Sequence, residues 1–212
     1  MSRAQAAADR RRQILDAAVR TFAGRGFHAC RVSDIADEAG VAYGLVYHYF
    51  ASKDEVLDTL FLERWSVMLE VIREVDRAER PVREKLASVA AFIIDSYRYD
   101  PDLMKVIIVE VTRAANTFGA RHLEEIREAY ALIAAIVAGG QADGSFRTDV
   151  TARFAALAFY GAIEQVLTGW IFGVLPSGPE EFEQAKRLVV ETICGGLESR
   201  AQLSVPSRHR ES

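Results

Sequence analysis

The segment from residue 42 to residue 53, AYGLVYHYFASK, places hydroxyl, imidazole and ammonium groups at helical spacing. Tyr47 and His48 follow Tyr43 by about one helical turn, where a hydroxyl and an imidazole can donate hydrogen bonds to phosphate oxygens. Lys53 stands at the start of the next predicted helix and adds its charge to a helix dipole that already favours an anion. These residue types predict a surface that grips the phosphates of DNA.

The aromatic residues of this segment have a second interpretation, as ordinary members of a hydrophobic core. We expect core positions for Tyr49 and Phe50, and phosphate contacts for Tyr47, His48 and Lys53. Such contacts position a protein on DNA without specifying a base sequence.

The first turn of this helix is predicted to face base edges, because the opening residues of a recognition helix reach into the DNA groove. Its residues are Ala42, Tyr43, Gly44 and Leu45. A short alanine and a glycine without a side chain allow close approach, and Tyr43 supplies one probing ring. This surface is poor in polar groups, so it predicts DNA binding without predicting which sequence is bound.

Three predicted helices position these residues. An amphipathic helix from Arg11 to Gly24 carries one apolar stripe, formed by Ile14, Leu15, Ala18, Val19 and Phe22. The second helix runs from Ser33 to Ala39 and stops at Gly40, whose missing Cβ permits the left-handed conformation of a tight turn. The third runs from Ala42 to Tyr49. The pattern predicts two short helices joined by a turn and supported by a longer one.

The net charge of the chain is −4, but the charge is unevenly distributed. Residues 1–53 contain eight Lys and Arg against five acids, a net charge of +3, and the remaining 159 residues contain 18 against 25, a net charge of −7. A basic end that meets phosphate and an acidic body left in solvent are typical of a small DNA-reading module on a larger regulatory domain. A basic end that is merely solvated fits the charges equally well.

Six further helices are predicted beyond residue 52. The first starts after Ser52, an N-cap with Glu55 three residues on in a capping box, and runs to about Val75. The others are predicted over residues 81–99, 101–113, 121–138, 150–173 and 180–197, with Asp100 and Asp149 as caps and Gly139-Gly140 as a stop. The one β-like run, residues 106–109, has helical flanks and is predicted to be helical. The predicted fold class is all-α.

The order of these motifs resembles the N-terminal half of TetR-family transcriptional repressors. The resemblance rests on the helix stop at residues 17–27, DIADEAGVA at residues 34–42 and GLVYHYFASKDEVL at residues 44–57. Together these motifs are specific. The resemblance implies an all-α homodimer with an N-terminal three-helix DNA-binding domain, containing a helix-turn-helix, and a C-terminal six-helix ligand-binding and dimerisation domain.

We therefore expect a DNA-binding domain at residues 1–52, a ligand-binding and dimerisation domain at residues 53–200, and a disordered tail at residues 201–212. The dimer is expected to bind a pseudo-palindromic operator in double-stranded DNA. Ligand in the larger domain is expected to move the linking helix, residues 52–75, so that the recognition helices no longer match the half-site spacing.

Two departures from the family pattern affect the DNA-binding prediction. Arg31 stands where a Thr or Ser usually caps the second helix, so either Ser33 takes over as the cap or Arg31 contacts a phosphate. Ala42 and Leu45 stand where hydroxyl residues are common, which removes polar contacts from the base-reading surface.

Bulky apolar side chains in the middle of the chain are numerous enough to line an effector cavity. The predicted ligand contacts are Phe61, Trp65, Met68, Phe92, Tyr97, Ile107, Arg113, Tyr130, Tyr160 and Glu164. Each apolar residue alone is more often a core residue than a ligand contact. The sequences VIIVEVTRAAN and YGAIEQVLTGWIFG look similar to the branch of the family that responds to long-chain fatty acyl-CoA.

An acyl chain suits an apolar interior, and Arg98, Arg113 or Arg121 is expected to meet the CoA phosphates at its mouth. Surface ion pairs are the alternative for these arginines. Glu110 and Glu164, polar within apolar stretches, are either buried with partners or specificity groups for a cationic drug. The second choice would indicate a multidrug-responsive repressor of an efflux pump.

The last two helices are predicted to form the homodimer interface as a four-helix arrangement between subunits. The predicted interface residues are Phe154, Leu157, Gly161, Gln165, Gly169, Leu188 and Thr192. Small residues among them would let helices approach closely. An entirely intramolecular core is the alternative.

Other classes of protein are disfavoured. Cys30 and Cys194 have neither disulfide-framework nor zinc-site spacing, which predicts a reducing bacterial cytoplasm, with nucleoid association when operator is bound. The N-terminus lacks an apolar signal core, and we expect no run of the ~20 apolar residues that a membrane helix needs. Without a nucleophile with a base, metal-ligand spacing or a phosphate loop, we predict no enzymatic activity, no cofactor and no metal. A helical protein-interaction module without DNA binding remains the alternative.

Overall fold

The computed structural model describes residues 2–112 and 122–198. The helices are α1 (Arg3–Arg25), α2 (Val32–Ala39), α3 (Tyr43–Tyr49), α4 (Lys53–Arg77), α5 (Val82–Tyr99), α6 (Pro101–Val106), a π-helical segment (Ile107–Thr112), α7 (Leu123–Ala142), α8 (Ala152–Ile171) and α9 (Pro179–Leu197). The described residues contain no strand, and the predicted all-α class is confirmed. The tail at residues 201–212, Arg113 and Arg121 lie outside the described residues.

The first three helices pack around a small core of their own. α1 contacts α2, and α2 contacts α3. Phe22 of α1 is 1% exposed and meets the Phe27 ring edge-on at 5.3 Å between centroids. Ile35 of α2 and Val46 of α3 are buried against them, as is Phe50 after α3. The predicted apolar stripe of α1 therefore is the core side of a three-helix unit.

α4 connects this unit to the rest of the chain. It begins where predicted, because the Ser52 hydroxyl accepts from the Glu55 N–H at 3.1 Å. The Glu55 carboxylate completes the arrangement by accepting from the Ala51 N–H at 2.5 Å rather than from Ser52 itself. From there the helix runs six to seven turns along α5 and α7.

The remaining helices form a bundle whose main contacts are α7 with α8, α5 with α9, α4 with α7 and α8 with α9. Ile94, Ile133, Phe159 and Ile163 lie at its centre and are fully buried. Asp100 caps α6 as predicted, with its carboxylate accepting from the Leu103 N–H at 3.0 Å. The bundle positions the C-terminal half of α4 against an apolar interior.

Several predicted helix ends are wrong. α1 begins eight residues before Arg11. α7 runs through Gly139-Gly140 to Ala142, where the close approach of Val82 and Phe146 to Gly140 leaves no room for a side chain. α8 is capped by Thr151 rather than Asp149, whose carboxylate pairs with Arg147. The starts of α1 and α8 are set by local caps, because the Ser2 hydroxyl accepts from the Gln5 N–H and the Thr151 hydroxyl accepts from the Phe154 N–H. Tertiary packing surrounds only the end of α7.

The expectation about apolar runs also needs correction. α8 has 20 residues and a mean hydropathy of 1.3, so by length and composition it reaches what a membrane span requires. In the fold it packs against α5, α7 and α9, and Ala156, Phe159 and Ile163 are fully buried. Its high apolar content reflects burial on one face and an apolar exposed face on the other.

Candidate DNA-binding surface and effector cavity

The turn between α2 and α3 has the geometry that the sequence predicts. Gly40 has φ +63° and ψ 38°, the left-handed conformation. Its N–H donates to the Asp37 carbonyl at 3.1 Å, and the Val41 N–H donates to the Ala36 carbonyl at 3.0 Å. These bonds satisfy the carbonyls at the end of α2 and turn the chain directly into α3.

The start of α2 rules out one of the two alternatives that follow from the Arg at position 31. Ser33 lies inside the helix, so its prediction as the cap is wrong. Asp34 stabilises the start of α2 instead. Its carboxylate accepts from the Arg31 N–H at 2.7 Å and pairs with the Arg25 guanidinium at 2.7 Å. The Arg31 hydrogen bond and the Arg25 charge hold the pKa of Asp34 below its ordinary value. The Arg31 side chain remains exposed.

The outer face of α3 carries the predicted DNA-contacting residues. Ala42, Tyr43, Gly44, Tyr47 and His48 are exposed, with the Tyr43 and Tyr47 side chains at 54% and 45%. The two tyrosine rings meet edge-on at 5.1 Å, and their hydroxyls are 3.2 Å apart. The hydrogen bond that Tyr43 donates raises the pKa of Tyr47. A Cβ on Gly44 would meet no atom within 4 Å, so this face is open.

The opposite side of α3 faces the core, where Tyr49 and Phe50 were expected. Phe50 is 2% exposed, and Tyr49 is half-buried against the core. Leu45 is half-buried too, so it forms only the edge of the exposed face. α3 thus separates its aromatic residues into core members and an exposed row.

Lys53 begins α4 as predicted, and its ammonium makes internal hydrogen bonds that the sequence did not predict. Its Nζ donates to the carbonyls of Phe27 at 2.6 Å, Cys30 at 2.8 Å and His28 at 3.4 Å. The ammonium also lies 4.4 Å from the centroid of the Phe27 ring. Its donors are therefore engaged by the loop between α1 and α2, and a phosphate contact would cost at least one of these bonds.

An enclosed cavity lies between α4, α5, the α6–π segment and α8, and we call it the inner cavity. Its lining is mainly apolar and consists of Arg64, Trp65, Met68, Phe92, Ile93, Met104, Ile107, Ile108, Tyr160, Ile163, Glu164 and Leu167. Six of the predicted ligand contacts are in this set: Trp65, Met68, Phe92, Ile107, Tyr160 and Glu164. The cavity volume is about 20 Å³, room for roughly one water molecule.

Three predicted ligand contacts lie elsewhere, and a fourth, Arg113, is outside the described residues. Phe61 is fully buried and stacks on Trp65 at 4.9 Å, behind the cavity wall. Tyr97 stacks on Trp170 at 5.4 Å, in the packing between α5 and α8. Tyr130 meets the Tyr160 ring edge-on at 5.4 Å and supports the lining from outside.

Two polar residues of the cavity lining, Tyr160 and Glu164, lie on α8. Burial, reinforced by the charge of Glu164, raises the pKa of the Tyr160 hydroxyl. Burial, and to a smaller extent the charge of Glu164, also raises the pKa of Tyr130. The cavity lining on α8 therefore offers the neutral Tyr160 hydroxyl beside the Glu164 side chain.

Sequence reasoning did not include Arg64 among the ligand contacts. It stands three residues after Phe61 and four before Met68, in register with the apolar stripe of α4. A charged residue at such a position is the signal that would have found it.

The predicted dimer interface is an exposed apolar face on α8 and α9. Phe154, Leu157 and Leu188 are 70%, 51% and 56% exposed. Gln165 and Thr192 are exposed with them, and a Cβ on Gly161 would meet nothing within 4 Å. Gly169 also has an internal contact, because a Cβ there would approach Leu175 Cδ1 of the same chain to 2.6 Å. Its small size serves an internal contact.

Two described contacts join the three-helix unit to the bundle near the inner cavity. The Lys105 ammonium of α6 donates to the Ala23 carbonyl of α1 at 2.7 Å. The Arg11 guanidinium of α1 pairs with Glu63 of α4 at 2.6 Å. Met104 and Arg64, which line the cavity, are the immediate neighbours of Lys105 and Glu63. These contacts connect residues adjacent to the cavity lining with α1.

Comparisons with known proteins agree with this architecture. Residues 14–60 match the bacterial regulatory proteins of the tetR family, and residues 81–193 match a tetracyclin repressor-like C-terminal domain. A fatty acid metabolism regulator protein from Bacillus subtilis (strain 168) is 32% identical over 160 residues, which cover 75% of this chain and 82% of the relative. The repressor KstR2 of Rhodococcus jostii (strain RHA1) is 28% identical over 191 residues, covering 90% and 92%.

A solved structure gives the same result in three dimensions. The transcriptional regulator FadR from Bacillus subtilis, in complex with stearoyl-CoA, aligns with a TM-score of 0.78 and 27% identity, covering 88% of this chain and 98% of that one. Regulators of this type bind DNA operators as dimers and respond to small-molecule effectors. Both domain matches, the helix-turn-helix geometry and the exposed apolar face lead to one conclusion: the chain belongs to the TetR family of bacterial transcriptional regulators.

Proposed function

We propose that this protein is a repressor released from its operator by a long-chain fatty acyl-CoA, and that it acts by binding alone, without catalysis. The carrying observation is the enclosed apolar cavity beside α4, in a chain similar to a fatty acid metabolism regulator and to a FadR crystallised with stearoyl-CoA. An acyl chain would replace contacts among apolar side chains such as Met68, Met104 and Leu167. The protein would act in the cytoplasm and join the nucleoid when it binds operator.

On DNA, we assign the exposed row of α3 to the major groove. Tyr43 would approach base edges, and Tyr47 and His48 would donate to phosphates. Arg31, exposed beside the start of α2, would add a charged phosphate contact. The open face around Ala42 and Gly44 supports close approach of the helix to the groove.

The small size of the inner cavity supports a coupling mechanism. Its volume of about 20 Å³ is far below the ~300 Å³ at which small-ligand pockets begin. An acyl chain must therefore push the lining apart, and Met104 lies next to Lys105, which holds the end of α1 through Ala23. Displacing α6 and α4 would tilt the three-helix unit, and the paired recognition helices would lose the half-site spacing.

The adjacent π-helical segment supports the same mechanism. Its residues Ile107 and Ile108 line the cavity, and π-helical turns are irregularities that often occur at functional sites. A segment that is already out of α-helical register needs less reorganisation than a regular helix when the cavity opens.

A second candidate effector class has one observation in its favour. Glu164 lines the inner cavity with the Tyr160 ring, and a carboxylate beside aromatic rings suits an apolar cation. This would make the protein a drug-responsive repressor of an efflux pump.

The experiment that decides between these effectors is thermal unfolding of the purified protein with acyl-CoA of increasing chain length and with an apolar quaternary ammonium compound. A ligand at 100 times its Kd stabilises the folded state by about 2.7 kcal/mol. We expect stabilisation that grows with acyl length. Stabilisation by the cation alone would replace the acyl-CoA assignment, and a response to neither would refute both.

A further inference from the structure

Arg64 stands where three spaces of the protein meet. It lines the inner cavity, where it is the only cation among the described lining residues. It also lines an open cleft of about 390 Å³ between α4, α5 and α6, which we call the outer cleft. Finally it borders a groove of about 570 Å³ between α1 and α4. A ligand passing from solvent to the inner cavity through the outer cleft must pass this guanidinium.

The contacts of Arg64 leave its charge without a carboxylate at salt-bridge distance in the described part of the chain. It donates to the Ser96 hydroxyl and lies 4.9 Å over the Phe92 ring. The residue is half-buried, and this burial lowers its pKa below the ordinary value. A guanidinium nevertheless stays protonated in a protein, so a full positive charge lies at the mouth of an apolar cavity.

Three nearby carboxylates have other partners, and a fourth, Glu164, lines the inner cavity together with Arg64. Glu63 pairs with Arg11 at 2.6 Å, and Asp95 pairs with Lys186 at 2.7 Å. Asp100 accepts from the Leu103 N–H as the cap of α6, and its charge favours the Arg64 cation without forming a salt bridge with it. An anion that binds Arg64 directly would supply the charge-assisted hydrogen bonds that Ser96 and the Phe92 ring do not.

We propose that Arg64 receives the anionic end of the effector, with the acyl tail in the inner cavity beyond Phe92 and Met104 and the headgroup in the outer cleft. This rests on the proposed function and adds the residue that recognises the head. The shared chemistry is an apolar chain ending in an oxyanion, supplied either by the phosphates of an acyl-CoA or by the carboxylate of a free fatty acid. Binding there would also move Glu63, the preceding residue, which pairs with Arg11 of α1.

The test compares three ligands of one chain length, acyl-CoA, free fatty acid and the neutral fatty alcohol, on the wild type and three variants. Arg64→Gln removes the charge and keeps a donor, Arg64→Lys keeps the charge, and Arg77→Gln is the matched control, since Arg77 is on the same helix with its side chain 70% exposed. Binding is measured by calorimetry on dimeric protein, with thermal unfolding as the check of folding. The ligand whose affinity Arg64→Gln reduces identifies the source of the oxyanion.

We expect Arg64→Gln to weaken binding of the anionic ligand by about 10- to 100-fold, the loss of a charge-assisted hydrogen bond. Binding of the alcohol should be unchanged, Arg64→Lys should recover much of the loss, and Arg77→Gln should behave as the wild type. If Arg64→Gln and wild type bind the anionic ligands with equal affinity, the role of Arg64 is overturned and the proposed effector class is not. A wild type that binds none of the three overturns the proposed effector class, and this inference with it.

Discussion

Replacing Lys53 by Met distinguishes an internal brace from a phosphate contact. Two of its bonds are short, 2.6 Å to the Phe27 carbonyl and 2.8 Å to the Cys30 carbonyl. Charge-assisted bonds contribute about 1.5–3 kcal/mol each, and the half exposure of the residue reduces the sum to about 2–4 kcal/mol. Methionine keeps most of the apolar stem, so the change isolates the ammonium.

Thermal unfolding at fixed dimer concentration measures the effect. For a chain of this size the loss corresponds to a fall in Tm of about 5–12 °C. Lys85→Met is the graded control, because the Lys85 ammonium donates to one carbonyl, that of Asp76, at 2.6 Å. We expect roughly half the effect there.

Operator affinity as a function of salt then tests the alternative, with a duplex recovered by selection from random sequence. A lost phosphate contact reduces the slope of log K against log salt by about 0.9. The internal position of Lys53 predicts an unchanged slope with reduced stability. A slope reduced by about 0.9 with a Tm within about 2 °C of wild type would refute the reasoning.

Four further predictions follow from the described contacts. Tyr47→Phe and His48→Ala should each weaken operator binding by about 1 kcal/mol, measured by fluorescence anisotropy. The free energy of unfolding should change by less than about 0.5 kcal/mol, because both side chains are exposed. Unchanged operator binding in both variants would exclude these residues as DNA contacts. Gly40→Ala should lower stability by about 1–2 kcal/mol, because a Cβ is strained at φ +63°; denaturant unfolding measures it, and a neutral result would contradict the turn. Because the pKa of Asp34 is lowered in the folded state, its contribution to stability is present above the unfolded pKa and is lost as pH falls through the folded pKa. Wild type and Asp34→Asn should therefore differ in free energy of unfolding at neutral pH and converge in acid. A difference that stays constant with pH would contradict this role of Asp34. Phe154→Glu, at a side chain 70% exposed, should produce monomers in sedimentation velocity, and an intact dimer would remove Phe154 from the interface.

The three-helix unit was predictable because its signals are local. A left-handed glycine, an apolar stripe and a Ser52–Glu55 cap depend on residues within a few positions of one another. The exposed tyrosines and histidine follow from the same register. The internal hydrogen bonds of Lys53 could not be predicted in this way. The three carbonyls that accept from its ammonium belong to residues 27, 28 and 30, and only the packing of α1 and α2 brings them close to it.

The effector cavity was predictable in composition but not in geometry. Trp65, Phe92 and Tyr160 were identified as bulky apolar groups, yet Phe61 and Tyr97 are also bulky and aromatic and do not line the cavity. Phe61 lies in the core and Tyr97 packs against it. Helical spacing indicates which face of one helix is apolar, and the pairing of faces decides which side chains border a void. Similarly, Gly169 was predicted to lie in the dimer interface because it is small, and in the structure its close neighbour is Leu175 of the same chain.

The central claim is that effector and operator weaken each other's binding. The direct measurement is the affinity of the selected operator duplex for the protein, by anisotropy, at increasing concentrations of long-chain acyl-CoA, together with the converse titration of acyl-CoA in the presence of operator. The account predicts that each ligand reduces the affinity for the other by the same factor, of order 10- to 100-fold, because the coupling free energy is shared. Simultaneous binding of both, with neither affinity changed, would contradict it.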